Sequence, residues 1–301
     1  MKLALALIAM ISAGCGIDTA APGPGSPGGV SGGGAGGGGG GGTGGGDPGG
    51  DPGTVDSGDP GDGAGPVTSV SGHITANATW VDVIHVVGDL TIDPGVTLQV
   101  AAGTTVDVSA GVPITVLGTL DIQGVKSSKV VFRWVTPGEN WYGLAVPGGG
   151  SMMATYLVQV GGATTISDTG NVRLVNTQMS HAGGDFLVMS GGTLNMTYSA
   201  IGLEAGQRDS THCDMHVSGP VEITATHSNF STSSYGLMFY GGSNADFRYS
   251  NWFGNAIDID RGGAAVTGNF SDSYFASGAP SYVGFTMQDM ATRRVADAGV
   301  Q

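Results

Sequence analysis

The sequence is poor in basic residues, in cysteine and in charge of either sign. Its 301 residues include 10 Lys and Arg, 24 Asp and Glu, and two Cys, which gives a formal net charge of −14. Charged residues make up 11% of the chain, compared with about a quarter in an average globular protein. A protein that binds nucleic acid needs a basic face for the phosphates, so the composition argues against that class of partner.

Long apolar runs are also missing. The run Leu3–Ile11 is too short to cross a bilayer, which takes about 20 apolar residues. With Lys2 before it and small residues after it, this run has the pattern of a secretory signal. Because the small residues end at Cys15, the pattern resembles the bacterial lipoprotein signal. The resemblance implies removal of residues 1–14 and a lipid on Cys15. An ordinary signal peptide with an incidental cysteine is the alternative.

The position after that cysteine and the region that follows it favour display outside the cell. Gly16 is not the Asp that marks retention in the inner membrane, so the resemblance implies the outer membrane or the cell surface. Half of the residues from 16 to 65 are Gly, and such a stretch cannot bury a core. Acidic Asp-Pro-Gly repeats without basic partners are typical of solvated, disordered chain. We therefore expect residues 15–66 to be a disordered tether.

The rest of the sequence lacks helical periodicity and has strand-like alternation instead. From about Val81, runs of four to six residues alternate between apolar and polar, and each ends at Gly, Pro or Asp. This pattern predicts short, half-buried strands. A sandwich, a barrel and a solenoid all fit such strands, and an internal period distinguishes between them.

Such a period exists. Two independent sets of positions recur about every 22 residues, and each set has one gap that is six or seven residues longer, which places an insertion at about Glu204–Asp214. The period predicts an all-β fold, a single-stranded parallel β-helix over residues 67–285, right-handed by analogy with other parallel crossovers. Residues 286–301 are expected to form a weak helix or cap. The apolar set is Val160, Met179, Ile201, Phe230, Trp252 and Tyr274, and the turn set is Gly148, Thr169, Gly191, Gly219, Gly241 and Gly262.

The same register predicts which side chains face the interior. One column is apolar and is expected to point inward, and the residues before it are polar and are expected to point outward. The inward column is Leu174, Met196, Ala225 and Phe247, and the outward column is Arg173, Asn195, Thr224 and Asp246.

The amino-terminal coils carry a resemblance to a known family. Four short segments follow one another along these coils: Val87-Gly88-Asp89-Leu90-Thr91-Ile92, Gly103-Thr104-Thr105-Val106, Gly118-Thr119-Leu120 and Asn140-Trp141-Tyr142-Gly143-Leu144. This succession resembles the pectin-lyase-like β-helix proteins of bacterial surfaces. The family contains lyases, hydrolases, adhesins and lipoproteins of unknown role, so the resemblance implies the fold and no particular activity.

The predicted insertion carries the densest chemistry in the chain. Arg208, His212, Asp214 and His216 are the candidate catalytic residues. His212, Asp214 and His216 stand at alternate positions and would point the same way on an extended segment, where they could hold Zn or Fe. A structural cluster without metal is the favoured interpretation, so no cofactor is predicted. Cys213, left unpaired if Cys15 is acylated, is interpreted as a small buried apolar residue.

Three further sets of side chains carry aromatic, acidic or polar groups. Tyr240 and Phe253 are candidates for stacking on sugar rings if they remain exposed. Asp258 and Asp260 share one side of a strand, but Arg261 follows them and would neutralise them. A polar and aromatic column near a bend is interpreted as structural, and it consists of Asn176, Tyr198, His227, Tyr249 and Ser271.

These observations favour a monomeric, lipid-anchored surface protein that binds glycan or another envelope component without catalysis. The alternative is a polysaccharide lyase or glycoside hydrolase, in which paired carboxylates would act as acid and base. A structural spacer of the envelope, which needs no site, is the third possibility.

Overall fold

The computed structural model describes residues 67–203, 212–242 and 244–301. These residues form 27 strands and no helix, so none of them belongs to a helix that could serve as a membrane span. All pairings between the strands are parallel. Each strand pairs with strands of the neighbouring coils, which confirms the predicted parallel β-helix.

A full coil passes through three faces. We call them the first, second and third face in the order in which the chain visits them. Strands β1 (Thr68–Ile74) and β3 (Val83–Ile92) each continue across the second and third faces. The predicted signal and tether, residues 1–66, lie outside the described part of the chain.

The first face is a ten-stranded sheet. Its strands are β2 (Ala78–Trp80), β4 (Thr97–Ala101), β7 (Thr119–Gln123), β10 (Ser151–Thr155), β13 (Asn171–Val175), β16 (Thr193–Thr197), β19 (Glu222–Thr226), β22 (Ala245–Asp246), β25 (Gly268–Asn269) and β27 (Phe285–Thr286).

The other two faces are joined by β1 and β3 into one 17-stranded sheet. The second face contains β5 (Thr105–Val108), β8 (Val130–Trp134), β11 (Leu157–Val160), β14 (Gln178–Ser180), β17 (Ala200–Ile201), β20 (Asn229–Ser231), β23 (Asn251–Phe253) and β26 (Tyr274–Phe275). The third face contains β6 (Pro113–Val116), β9 (Gly143–Val146), β12 (Ala163–Ile166), β15 (Leu187–Met189), β18 (Cys213–Val217), β21 (Tyr235–Phe239) and β24 (Ile257–Asp260).

Strand register gives the length of each coil. Arg173 lies opposite Asn195 on the next coil, and this separation is the predicted period. Two coils are longer: Thr119 pairs with Ser151 on the next coil, and Thr193 pairs with Glu222. We refer to the second of these, which runs from Thr193 to Glu222, as the lengthened coil. Its extra residues lie between β17 and β18, where the insertion was predicted, although Asp214 already belongs to β18.

The core lies inside the coils and is built from the inward residues of all three faces. The predicted inward column, Leu174, Met196, Ala225 and Phe247, is fully buried. Parallel register stacks like side chains on consecutive coils, so the interior consists of continuous apolar ladders. This stacking is a direct consequence of the period-two pattern in every strand.

The residues after β27 form no helix, contrary to the helical alternative for this segment. Their backbone groups bond to earlier coils instead: Ala291 N donates to Ser273 O (3.0 Å), Val295 N to Asn251 Oδ1 (2.8 Å) and Gly299 N to His227 O (2.9 Å). A helix would need these groups for its own hydrogen bonds. The segment therefore runs back along the bends of the coils as an irregular strap.

Candidate functional site

A cluster of four metal-binding residue types lies on the third face, at the end of the lengthened coil. Register pairs Leu187 of β15 with Met215 of β18, and by the same spacing Asp185 stands opposite Cys213. His212 precedes β18, and His216 lies within it. The side chains of Asp185, His212, Cys213 and His216 converge here, and we refer to them as the four-residue cluster.

The Asp185 carboxylate is the centre of this cluster. Its Oδ1 lies 2.5 Å from His212 Nδ1 and 3.1 Å from Cys213 Sγ, and its Oδ2 lies 3.0 Å from His216 Nδ1. One ligand atom from each side chain can be chosen so that all four lie within 4.8 Å of one another.

The cluster is partly buried, and its electrostatics follow from that. Burial alone raises the pKa of the Asp185 carboxyl, but hydrogen bonds with His216, Cys213 and His212 outweigh it, and the pKa falls to about 2. Asp185 is therefore ionised at neutral pH and can only accept hydrogen bonds, so each of the two Nδ1 atoms carries a hydrogen.

Aromatic residues of the next coil hold both imidazoles. His212 packs edge-to-face with Tyr235, with ring centroids 5.7 Å apart, and His216 packs in the same manner with Tyr240 at 5.6 Å. Tyr240 Oη donates to Asp260 Oδ2 at 2.6 Å. Burial and the neighbouring Asp260 raise the pKa of the Tyr240 hydroxyl far above its usual value, so Tyr240 stays a donor.

The structure brings together some of the residues that the sequence analysis singled out, and not others. His212 and His216 lie together, but Asp214 does not join them. It is fully buried and accepts a hydrogen bond from Ser233 Oγ. The prediction assumed that residues at alternate positions share their contacts. Asp214 lies in β18 with His216, but its carboxylate bonds to Ser233 on the next coil instead. Arg208 lies outside the described residues.

Asp185 and the polar contact of Cys213 were missed by the sequence analysis. Cys213 is fully buried, as predicted, but its sulfur faces the Asp185 carboxylate rather than apolar atoms. A signal for both was available. The turn markers Gly191 and Gly219 have the same separation as Asp185 and Cys213, so they already place the carboxylate opposite the thiol.

The two aromatic candidates for sugar stacking are both covered. Phe253 is 5% exposed, and the Arg294 guanidinium of the carboxyl-terminal strap lies 3.5 Å from its ring centroid. Tyr240 is half-buried against His216. The strap lies over the Phe253 ring, and the contact with His216 covers part of Tyr240, so both rings are at least partly covered.

The two carboxylates of β24 have separate partners. Asp258 is buried and accepts a hydrogen bond from Asn255 Nδ2 at 3.1 Å, and burial raises the pKa of its carboxyl. Asp260 accepts from Tyr240. Arg261 donates to Ala264 O and stacks on Tyr282, so its described contacts point away from both carboxylates.

The predicted column at the bend exists. His227 stacks between Tyr198 and Tyr249, with centroid distances of 5.0 Å and 4.8 Å. Both tyrosines and His227 have positive φ, as do Asn176 and Asp272, so Asp272 rather than Ser271 continues the row. The structural interpretation of His227 fits this tight bend.

The four-residue cluster supports two kinds of chemistry. Two imidazoles, a thiol and a carboxylate form a ligand set for a transition metal. Alternatively, a carboxylate that holds the Nδ1–H of His216 leaves Nε2 as a proton acceptor, which is the arrangement of a general base.

Comparisons with known proteins add no relative from which a role could be transferred. Searches against family models, curated proteins and solved structures found no match. The resemblance to pectin-lyase-like proteins therefore depends on the sequence motifs and on the parallel β-helix itself.

Proposed function

We propose that this chain is a lipid-anchored, pectin-lyase-like surface protein that binds an extended polysaccharide or another envelope component along its first face. The anchor is the lipid on Cys15, and residues 15–66 are the tether. Such an arrangement holds a set of parallel strands away from the membrane. The case for binding depends on the outward residues of the first face.

One row of outward side chains runs without a break through all ten strands of that face. Nine of its ten members are polar, and consecutive members are about 4.8 Å apart because they sit on neighbouring parallel strands. The row is Thr79, Gln99, Asp121, Met153, Arg173, Asn195, Thr224, Asp246, Asn269 and Thr286.

The middle of the row is available to a ligand. Arg173 and Asn195 are exposed, and within the described residues neither forms a side-chain hydrogen bond or an ion pair. Evenly spaced donors and acceptors along neighbouring strands suit a long chain of sugar hydroxyls. This regular polar row is the single observation that favours glycan binding over a spacer.

The first prediction concerns this row. We expect the Arg173→Ala, Asn195→Ala double variant of the full chain to lose at least about tenfold in affinity for the polysaccharide that the unaltered chain binds. Each lost hydrogen bond costs about 0.5–1.5 kcal/mol, more for a charged donor, and about 1.4 kcal/mol is tenfold. Binding is measured against a panel of neutral, uronic-acid and amino-sugar polysaccharides.

A matched control lies on another face. Thr165→Ala removes an outward side chain from β12 on the third face and should leave binding unchanged. Equal losses in both variants, or no binding to any member of the panel, would contradict the proposal. The second of these results would favour the spacer.

The same panel tests the enzymatic alternative, which the carboxylate–imidazole pair of Asp185 and His216 favours. If the unaltered chain produces new reducing or unsaturated ends and the Asp185→Asn variant does not, the function is catalysis rather than binding alone. Binding without such products would support the proposal.

The anchor has its own test. Cys15→Ser removes the sulfur that would carry the lipid, so we expect the variant to leave the membrane fraction for the soluble fraction. Cys213→Ser, which removes the other cysteine, should remain with membranes. A Cys15→Ser variant that still sediments with membranes would show that lipid on this residue does not hold the protein.

A further inference from the structure

We propose that Asp185, His212, Cys213 and His216 form a binding site for Zn²⁺. This inference goes beyond the proposed function and does not depend on it. It starts from the convergence of four different donor groups on one point of the third face.

The geometry fits a tetrahedral ion after side-chain adjustment. Zinc lies about 2.0–2.3 Å from N, O and S ligands, so neighbouring ligand atoms in a tetrahedron are about 3.3–3.8 Å apart. The four ligand atoms lie within 4.8 Å of one another, and the shortest separation, between His212 Nδ1 and Asp185 Oδ1, is 2.5 Å. These values bracket the tetrahedral edge.

The donor set selects the class of metal. A thiolate and two imidazoles prefer zinc and related transition metals over Mg²⁺ and Ca²⁺, which take oxygen ligands. Ionised Asp185 and a Cys213 thiolate would together balance the two positive charges. Zinc binding would release the thiol proton, whereas each neutral imidazole would keep one proton, carried on Nε2 when Nδ1 binds the ion.

The surroundings are built to hold the ligands in place. Tyr235 and Tyr240 pack against the two imidazoles from the next coil, and Asp260 fixes the Tyr240 hydroxyl. Ligand side chains locked by such neighbours keep a site close to its binding geometry.

The position in the fold suggests what the ion would do. Asp185 belongs to one coil, whereas the other three ligands lie in, or directly before, the strand that follows the insertion. A bound zinc would tie the end of the lengthened coil to the coil before it. With four protein ligands the site is closed, which is typical of structural zinc.

The test uses the full chain with Cys15→Ser, in which Cys213 is the only cysteine. After removal of metal with a chelator, the protein is titrated with Zn²⁺ and with Co²⁺. We expect one ion per chain, a tetrahedral Co²⁺ spectrum with a thiolate-to-cobalt charge-transfer band, and a higher melting temperature with Zn²⁺ than with chelator.

Variants of the ligands sharpen this test. Cys213→Ser should lose the charge-transfer band. Loss of a residue that only supports the ligands of a metal site typically lowers metal affinity about 10–100-fold. Asp185→Asn and His216→Gln remove ligands themselves, so each should lower the affinity by more than that. His227→Gln, which changes an imidazole of the bend column, is the matched control and should bind as before.

Two results would overturn the proposal: the absence of stoichiometric Zn²⁺ or Co²⁺ uptake, and a Co²⁺ spectrum that is the same with and without Cys213. Circular dichroism establishes that each variant is folded. If Cys213→Ser does not fold, the affinity of Asp185→Asn decides, since Asn keeps the shape of the side chain and removes its charge.

Discussion

Replacing Trp252 by Ala is expected to lower the free energy of unfolding by about 3–5 kcal/mol, the usual cost of deleting a buried aromatic side chain. Trp252 is fully buried. Its ring stacks between Phe230 and Phe275 of the neighbouring coils, with centroid distances of 4.2 Å and 5.6 Å, and Phe247 and Phe270 contact its edges. The cavity would interrupt the ladder of stacked aromatic rings on consecutive coils. Urea denaturation followed by circular dichroism measures the loss.

Trp252→Phe is the matched control. A phenyl ring keeps the stack between Phe230 and Phe275, and it removes the indole Nε1–H, which is buried without a hydrogen-bond partner in the described part of the chain. We therefore expect a much smaller loss for Phe than for Ala. Similar losses for the two variants would mean that the stack contributes little.

The sequence predicted the fold well because the period stays constant over much of the chain. Where consecutive coils have the same length, the alternation of Arg173 and Leu174 transfers directly to Asn195 and Met196 on the next coil. When the coil length is constant, the alternation within one strand also predicts which residues stand opposite one another on neighbouring coils.

The sequence prediction fails by one residue where coil length changes. Gln159, not Val160, stands opposite Met179, and Phe275, not Tyr274, stands opposite Trp252. The first error has a clear cause, because apolar character was used to identify inward positions. Gln159 is fully buried, and its amide is satisfied by the Gly162 carbonyl and the Thr164 hydroxyl.

The candidate site was predicted only in part for a related reason. Its residues come from two neighbouring coils, and the stretch of chain that joins them carries the insertion, so no short motif contains them all. His212 and His216 were found because they are neighbours in sequence. Asp185 becomes their partner only through the register across the lengthened coil, shown by the pairing of Leu187 with Met215.

The second large effect is expected for Gly202→Ala, which should lower the free energy of unfolding by more than about 3 kcal/mol. Gly202 follows β17 with a φ of +92°, where an L side chain costs roughly 1–2 kcal/mol. A Cβ atom there would also overlap the carbonyl oxygen of Ser231 on the next coil. Relief of that overlap must separate two coils and weaken the hydrogen bond from Leu203 N to Thr232 Oγ1, now 2.8 Å.

Gly111→Ala separates the two contributions to this effect. Gly111 also has a positive φ, +70°, but a Cβ atom added there meets nothing within 4 Å, so only the backbone strain of about 1–2 kcal/mol remains. The difference between the two variants, measured by urea denaturation under the same conditions, is the cost of forcing neighbouring coils apart. If Gly202→Ala loses no more free energy of unfolding than Gly111→Ala, the coils can move apart freely at this point. Close stacking of the coils next to the insertion would then not be the reason for glycine at position 202.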